Sequence, residues 1–403
     1  MPDQHDNDIV LAAPVRTPIG KFLGSLMPLS AADLGTAAAK AALERARLDP
    51  GQVDQVIFGH ARQAGGGPNT ARQVSWRAGV PVDRPAYTVN QACGSGLQAV
   101  LSAARTILTG EARVILAGGT ESMSNTPYLL TRARTGFRLG HGEIVDGMYK
   151  DGFNDPLSDL VMGETAEELA KDMGIDRAEA DEYALESQLR CERARAAGRF
   201  DPEVVPVKVP GRKGEVVMEK DEHPRDGTTL ESLRKLAPVF REGGTVTAGN
   251  ASGITDGASA IVVASRRAAL ELGLPVVARL TAWQVYGVEP RVMGIGPVPA
   301  IRTLLDRTGL DLGAIDEIEL NEAFATQVIA CMRDLKLEHA KVNPDGGAIS
   351  LGHPIGATGC RVLVTLLHGM QARDLQRGIA TLCVSGGMGL AALVEREAAR
   401  EAA

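Results

Sequence analysis

Aromatic side chains are scarce in this chain, which has two Trp, five Tyr and seven Phe in 403 residues. Whatever core it builds is therefore aliphatic. Cysteine is scarce too: the five, at positions 93, 191, 331, 360 and 383, are odd in number, far apart and nowhere spaced as C-x-x-C. That pattern excludes a disulfide framework and a structural zinc site and leaves free thiols. No apolar run is long enough to cross a bilayer, and the opening MPDQHDND has neither the basic nor the apolar region of a secretory signal, so the expected location is cytoplasmic. An excess of positive charge is also missing. With a formal net charge of -7, nothing overall attracts nucleic acid or an anionic membrane, and neither is expected as a partner. The run Gly65-Gly66-Gly67 lacks the Lys and Ser or Thr of a P-loop, and no G-x-G-x-x-G follows a strand, so neither nucleotide-phosphate loop is present.

What is there has the composition of a folded globular protein, 44% hydrophobic and 23% charged. The length exceeds what one hydrophobic core usually supports and predicts several domains or a duplicated fold. Short β-prone runs (Ile9 to Ala12, Val56 to Phe58, Val114 to Ala117) alternate with Ala-rich helical stretches (Ala31 to Arg47, Leu97 to Leu108), the texture of an α/β fold with covered sheets. The last third repeats it, with strands at Glu317 to Leu320 and Thr381 to Val384 and helices at Ala323 to Leu335 and Arg361 to Ala372. Val89-Asn90 and Val342-Asn343 each lead through glycine-rich turns into a helix and then a strand ending in Gly-Gly. Two related halves follow: 1–124 with a return over 255–277, and 278–403, separated by an inserted loop domain at 125–254. In that insert the clearest element is a helix beginning at Asp176, with Glu179 completing a capping-box pattern and Gly198 as its stop. The second half carries extra glycine-rich sequence from Gly346 to Gly359, which contains His353.

Four residues stand where chemistry is possible. Cys93, in V-N-Q-A-C-G-S-G, follows a strand and precedes a helix that starts near Gly94 or Ser95, so the helix dipole and free N–H groups there favour a thiolate and a lowered pKa. A small buried cysteine at a strand-helix junction is the alternative. His353, in G-G-A-I-S-L-G-H-P-I-G, carries an imidazole able to take a thiol proton, or else caps a loop. Cys383, in T-L-C-V-S-G-G-M-G, ends an apolar strand and is either an acid/base or ordinary core. Asn321, in E-L-N-E-A-F-A, is either a donor to a carbonyl oxygen or water, or the N-cap of the helix after it. Cys191, Cys331 and Cys360, the last opening a helix, are assigned to structure.

Taken together and in order, N-Q-A-C-G-S-G-L-Q-A-V, G-G-T-E-S-M-S-N, A-G-N-A-S-G-I-T-D-G-A, V-M-G-I-G-P-V-P-A, N-E-A-F-A, G-G-A-I-S-L-G-H-P-I-G-A-T-G-C-R and C-V-S-G-G-M-G resemble the thiolase family over nearly the whole chain. The resemblance implies a duplicated five-layer αβαβα fold with an inserted loop domain, assembled as a homodimer or homotetramer. It implies that Cys93 accepts the acyl group, that His353 activates it and that Cys383 exchanges a proton with the α-carbon of the second acetyl group. Asn321 would hold an oxyanion-hole water beside His353. It further implies coenzyme A contacts from the inserted domain: Ser252 at pantetheine, Arg225 and Ser232 near the adenine nucleotide, and Met162 in the covering loop. Arg212 and Lys213 are either phosphate contacts or an exposed surface pair. Coenzyme A and acetyl-CoA enter as substrates, and no intrinsic metal or organic cofactor is implied.

Three positions depart from the family pattern. Val161 stands before Met162-Gly163 where short-chain members carry histidine, Ser385 replaces a glycine, and Asp345 an asparagine. The activity implied is that of an acetyl-CoA C-acyltransferase acting on acetoacetyl-CoA or on broader 3-ketoacyl-CoA substrates. A condensing enzyme of the ketoacyl-synthase kind would favour a Cys-His-His set, which the Cys383 motif does not match. A thiolase-like protein that binds acyl-CoA or lipid without turnover is the alternative from outside the enzymes.

Overall fold

The computed structural model describes residues 8–211 and 213–397. Arg212 and the first seven residues of the opening segment lie outside them. Strands β1 (Ile9–Arg16), β2 (Gln55–Gly59), β3 (Ala86–Val89), β4 (Val114–Ser122) and β5 (Thr255–Ser265) lie in the order β3-β2-β4-β5-β1. Strands β6 (Val276–Gly287), β7 (Glu317–Leu320), β8 (Arg377–Val384) and β9 (Met388–Arg396) repeat it as β7-β8-β9-β6. A single parallel bridge between Ile318 and Val342 stands in for the second copy of β3. Directions repeat as well: β2 is parallel to β3 and β4, and β7 to β8, whereas the β4-β5-β1 and β8-β9-β6 pairings are antiparallel. The halves join edge to edge where Val10 faces Arg279 and Leu11 faces Ala278, giving one ten-stranded ladder that also includes Gly20–Lys21.

Every residue of β1 is buried, and its side chains alternate between two cores. Val10, Ala12 and Val15 pack with Leu34, Ala38 and Ala42 of helix α1 (Ala31–Ala46), while Ile9 and Leu11 pack with helices α2 (Ser95–Leu108) and α7 (Ile355–Ala372). A strand covered on both faces reads as an unbroken apolar run, which is why the sequence shows one there. The second half uses the same two-faced logic. Leu382, Val384 and Leu390 join the core around α2 and α7, and Ile379, Ala391 and Leu393 face α5 (Pro297–Thr308) and α6 (Ala325–Leu335). The layers are thus α1, sheet, α2 with α7, sheet, α5 with α6, the duplicated α/β arrangement expected.

After β4 the chain leaves the sheet and returns at Thr255, and in between lie α3 (Met162–Met173), α4 (Arg177–Ala196) and a hairpin of Val207–Gly211 with Gly214–Met218. Asp176 caps α4 by accepting from the Glu179 N–H at 2.9 Å. The reciprocal half of the expected capping box is not made, because the Glu179 carboxylate pairs with Arg333. The stretch 346–359 is not all turn. Ala348–Leu351 is a helical turn and α7 already begins at Ile355, so Cys360 lies inside the helix and does not open it. Backbone packing explains the misreading: a Cβ on Gly359 would lie 2.4 Å from the Leu97 N, and one on Gly96 2.7 Å from the Cys360 N. Glycine is required for α2 and α7 to touch, and it conceals the helical pattern. Likewise α6 starts at Ala325 with Phe324 at its cap, so Asn321 is not an N-cap. No helix among the described residues is long and apolar enough to cross a membrane.

Candidate active site

Cys93 lies in a tight turn between β3 and α2. Ala92 before it has φ of 44°, a left-handed conformation that costs a non-glycine residue about 1–3 kcal/mol. Side chains of the turn hold it there. Asn90 Oδ1 accepts from the Ala92 N–H at 3.0 Å, and Ser95 Oγ accepts from the Gln91 N–H at 2.9 Å while donating to the Ala92 carbonyl at 2.6 Å. Gly94, the residue at the helix cap, supplies no side-chain capping bond, so the first N–H groups of α2 remain directed toward the turn.

His353 occupies the related place in the second half, just ahead of α7. Gly352 turns the chain with φ of 102°, and a Cβ there would lie 2.5 Å from Thr255 Cγ2. The His353 N–H donates to the Gly253 carbonyl at 3.2 Å. Its Nδ1 stands 2.6 Å from Thr358 Oγ1, which also reaches the Pro354 carbonyl at 2.9 Å, while its Nε2 is buried with no protein partner.

Cys383 is the penultimate residue of β8, packed among Met293, Ala323, Phe324 and Val246. Asn321 follows β7, with its N–H donating to the Thr381 carbonyl at 3.0 Å and both side-chain amide atoms buried without a protein partner. Its neighbour Glu322, which the sequence reading passed over, is buried and accepts from Tyr183 Oη at 2.9 Å, Ser187 Oγ at 2.7 Å, Asn343 Nδ2 at 3.1 Å and the Ile349 N–H at 3.1 Å. One carboxylate thereby ties the Asn321 loop to α4 and to the helical turn before His353. Opposite, the Ala323 carbonyl accepts from the Ser252 N–H at 3.0 Å and the Ala325 N–H donates to the Asn250 carbonyl at 2.8 Å, docking the N-A-S-G segment onto the same loop.

These residues converge on one cavity of about 360 Å³. Cys93, His353, Cys383, Met162, Arg225 and Ser252 line it; Asn321 is not among the lining residues, and Ser232 is outside, exposed on the helical turn Leu230–Arg234, where its Oγ donates to the Thr229 carbonyl. Lys213 is exposed at the tip of the hairpin and does not line the cavity. Two polar lining residues carried no signal strong enough to be picked out as chemistry, Arg62 and His223; Ser385, named above as a departure, lines the cavity with them. His223 is held by its Nδ1 at 2.9 Å from the Ser350 carbonyl. Among the described residues no group of three or more His, Cys, Asp or Glu side chains is placed to hold a metal ion.

The electrostatics differ from the expectation of a lowered Cys93 pKa. Burial pushes the Cys93 thiol up; the Arg62 charge and the Ser385 and Cys93 backbone N–H groups pull the other way without cancelling it. Burial also drives His353 down to about 3, with the charges of Arg361 and Arg62 adding to the effect. Cys383 is raised well above the usual thiol range by burial and by the neighbouring Cys93. The resting cavity therefore holds two neutral thiols and a neutral imidazole, so a proton has to move during the reaction itself.

The departures acquire physical meaning here. Ser385 does not take positive φ, which falls instead on Gly386 and Gly387, so a side chain is tolerated while its N–H faces the Cys93 sulfur. Asp345 pairs with Arg373 at 2.8 Å, and Arg373 also pairs with Glu317. Val161 lines the cavity, and its N–H donates to the Glu164 carboxylate at 2.8 Å at the start of α3, a helix the sequence reading did not identify.

The chain is similar to known proteins along nearly its whole length. The thiolase N-terminal domain matches residues 9–267 and the thiolase C-terminal domain residues 274–396. An acetyl-CoA acetyltransferase of Pseudomonas aeruginosa is 51% identical over 391 residues, covering 97% of this chain and 100% of its own. The crystal structure of the Bacillus anthracis acetyl-CoA acetyltransferase superimposes with a TM-score of 0.95 at 44% identity, over 98% of this chain and 100% of that one. Human mitochondrial 3-ketoacyl-CoA thiolase, solved in complex with CoA, gives 0.94 at 42% identity over 98% and 99% of the two chains.

Proposed function

The chain belongs to the thiolase family, and from that premise we propose that it is an acetyl-CoA C-acyltransferase that forms or cleaves 3-ketoacyl-CoA through an acyl-enzyme on Cys93. The observation that carries the residue roles is one cavity faced by two thiols and an imidazole. The relatives are named for acyl transfer itself, which supports turnover over a purely binding role.

In cleavage, His353 Nε2 takes the Cys93 thiol proton as the sulfur attacks the keto carbon. The bond between that carbon and the α-carbon breaks, and the departing enolate of acetyl-CoA receives a proton from Cys383. Coenzyme A then attacks the Cys93 thioester, releasing the shortened acyl-CoA and restoring the thiol. Synthesis runs the same steps backward, with Cys383 removing the α-proton of acetyl-CoA. Attack by neutral groups makes proton transfer part of the attack. The Ser385 N–H at the Cys93 sulfur is a candidate oxyanion donor, a contact of this kind being worth roughly 3 kcal/mol, and the unpartnered amide of Asn321 is read as holding an oxyanion-hole water.

Coenzyme A is read as substrate, with no resident cofactor. Ser252, Arg225 and Met162 on the cavity wall would meet it, with Ser232 farther out toward the adenine end. The domain reading stays as 1–124 with 255–277, the CoA-binding insert 125–254, and 278–403. A homodimer or homotetramer is supported by apolar side chains presented by the insert, Leu139 being 100% and Ile144 67% exposed. A cytoplasmic place in fatty acid metabolism completes the reading.

Steady-state thiolysis of acetoacetyl-CoA and longer 3-ketoacyl-CoA substrates tests it, beside Cys93→Ala and Cys383→Ala. Cys93→Ala should abolish turnover. Cys383→Ala should still accept an acetyl group from acetyl-CoA onto Cys93 while losing carbon-carbon bond cleavage. Undiminished thiolysis in Cys93→Ala would sink the acyl-enzyme.

A further inference from the structure

Arg62 is the unexplained group in this cavity. It is 7% exposed, it lines the same wall as Cys93, and its Nε is buried without a partner. Among the described residues no hydrogen bond or ion pair of its guanidinium with a protein group is present; the backbone N–H alone is bonded, to Glu121 at 3.1 Å. Glu121 itself is fully committed. It accepts from the Ala61 and Gly356 N–H groups at 3.2 and 2.9 Å and pairs with His60 at 3.1 Å. Its guanidinium lies over the Phe153 ring, 5.9 Å from the centroid in a cation–π arrangement, and its Nη2 occupies the space that a Cβ on Gly152 would fill, 1.8 Å away.

The position of this charge is specific. Ala61, Met123, Met148, Ile355 and Phe153 form a small apolar cluster packed against Cys93, and Met123, Phe153 and Ile355 of it line the cavity, where an acyl group carried by the sulfur can extend. A purely hydrocarbon acyl pocket needs no cation. The Glu121 carboxylate acts on this charge through space only, without a hydrogen bond, and an anion that pairs with the guanidinium in fork geometry would offset the cost of its burial.

Resting on the acyltransferase reading, we propose that Arg62 is a specificity-determining residue that selects acyl groups whose far end carries a carboxylate, so that the preferred substrates are ω-carboxylated 3-ketoacyl-CoA thioesters. Thiolysis of such a substrate gives acetyl-CoA and an ω-carboxyacyl-CoA by the same bond changes as above. The carboxylate takes no part in the chemistry. The apolar cluster receives the methylene chain and the guanidinium fixes its end, which sets a length as well as a charge.

The test compares kcat/KM for six-carbon 3-ketoacyl-CoA thioesters ending in a carboxylate, the matching amide, or a methyl group, in the wild type and in Arg62→Leu and Arg62→Lys. The wild type should favour the carboxylate over both neutral ends by about tenfold or more, since a hydrogen-bonded charge pair is at stake. That preference should vanish in Arg62→Leu and survive in part in Arg62→Lys. A wild type that favours the neutral ends, or the same ratio in wild type and Arg62→Leu, overturns the proposal. Should Arg62→Leu not fold, the wild-type ratio of carboxylate to amide decides alone. Absence of turnover with every substrate would count against the acyltransferase reading instead; in that case Kd for the same thioesters in Cys93→Ala shows whether the carboxylate preference exists.

Discussion

Thr358 Oγ1 stands 2.6 Å from His353 Nδ1 and 2.9 Å from the Pro354 carbonyl, one turn into the helix that follows the histidine. A base with its lone pair on Nε2 is the arrangement in which the one hydroxyl proton goes to the Pro354 carbonyl. Nδ1 must then be the donor to Thr358, which leaves Nε2, the nitrogen without a protein partner, carrying the lone pair. We infer that a threonine in the glycine-rich motif selects the tautomer that the proposed base requires.

Thr358→Val removes this acceptor while keeping the shape. The expected result is a fall of roughly tenfold in kcat with little change in KM, the size of one lost hydrogen bond, and recovery in Thr358→Ser. Equal kcat in the valine variant and the wild type would remove Thr358 from the argument.

The neutral state of the cavity has a pH signature. Because burial raises the Cys93 thiol above its ordinary value, its thiolate is scarce at neutral pH and becomes commoner as pH rises. Alkylation of Cys93 by iodoacetamide, followed by peptide mapping, should accelerate about tenfold per unit from pH 7 to 9. His353, held at about 3, is uncharged throughout and adds no inflection between pH 5 and 8. A plateau reached below pH 8 would indicate a preformed thiolate-imidazolium pair.

Gly359 controls how closely the two central helices approach. Gly359→Ala places a methyl group 2.4 Å from the Leu97 backbone nitrogen, so α7 must move away from α2. A loss of about 1–3 kcal/mol is expected in denaturant unfolding, together with reduced kcat, since these helices follow His353 and Cys93 respectively. An unchanged midpoint with unchanged kcat would show that the contact is slack.

The sequence determined the duplicated α/β architecture, because strands buried on both faces read as short apolar runs and those runs recur in the same order in each half. It also singled out Cys93 and Cys383, at strand ends beside glycine turns, and His353, in a glycine-rich stretch, since these are local features. Tertiary structure decided what local pattern does not encode. The onset of α7 is masked because its glycines answer to the neighbouring helix and not to helix propensity. The Cys93 pKa direction came out opposite to the helix-dipole argument, because desolvation by the assembled cavity outweighs one helix end. Arg62 is an ordinary arginine in the chain, and burial beside Cys93 without a carboxylate partner is what makes it a candidate for recognition. Its significance arises from contacts made across the fold, which no window of sequence contains.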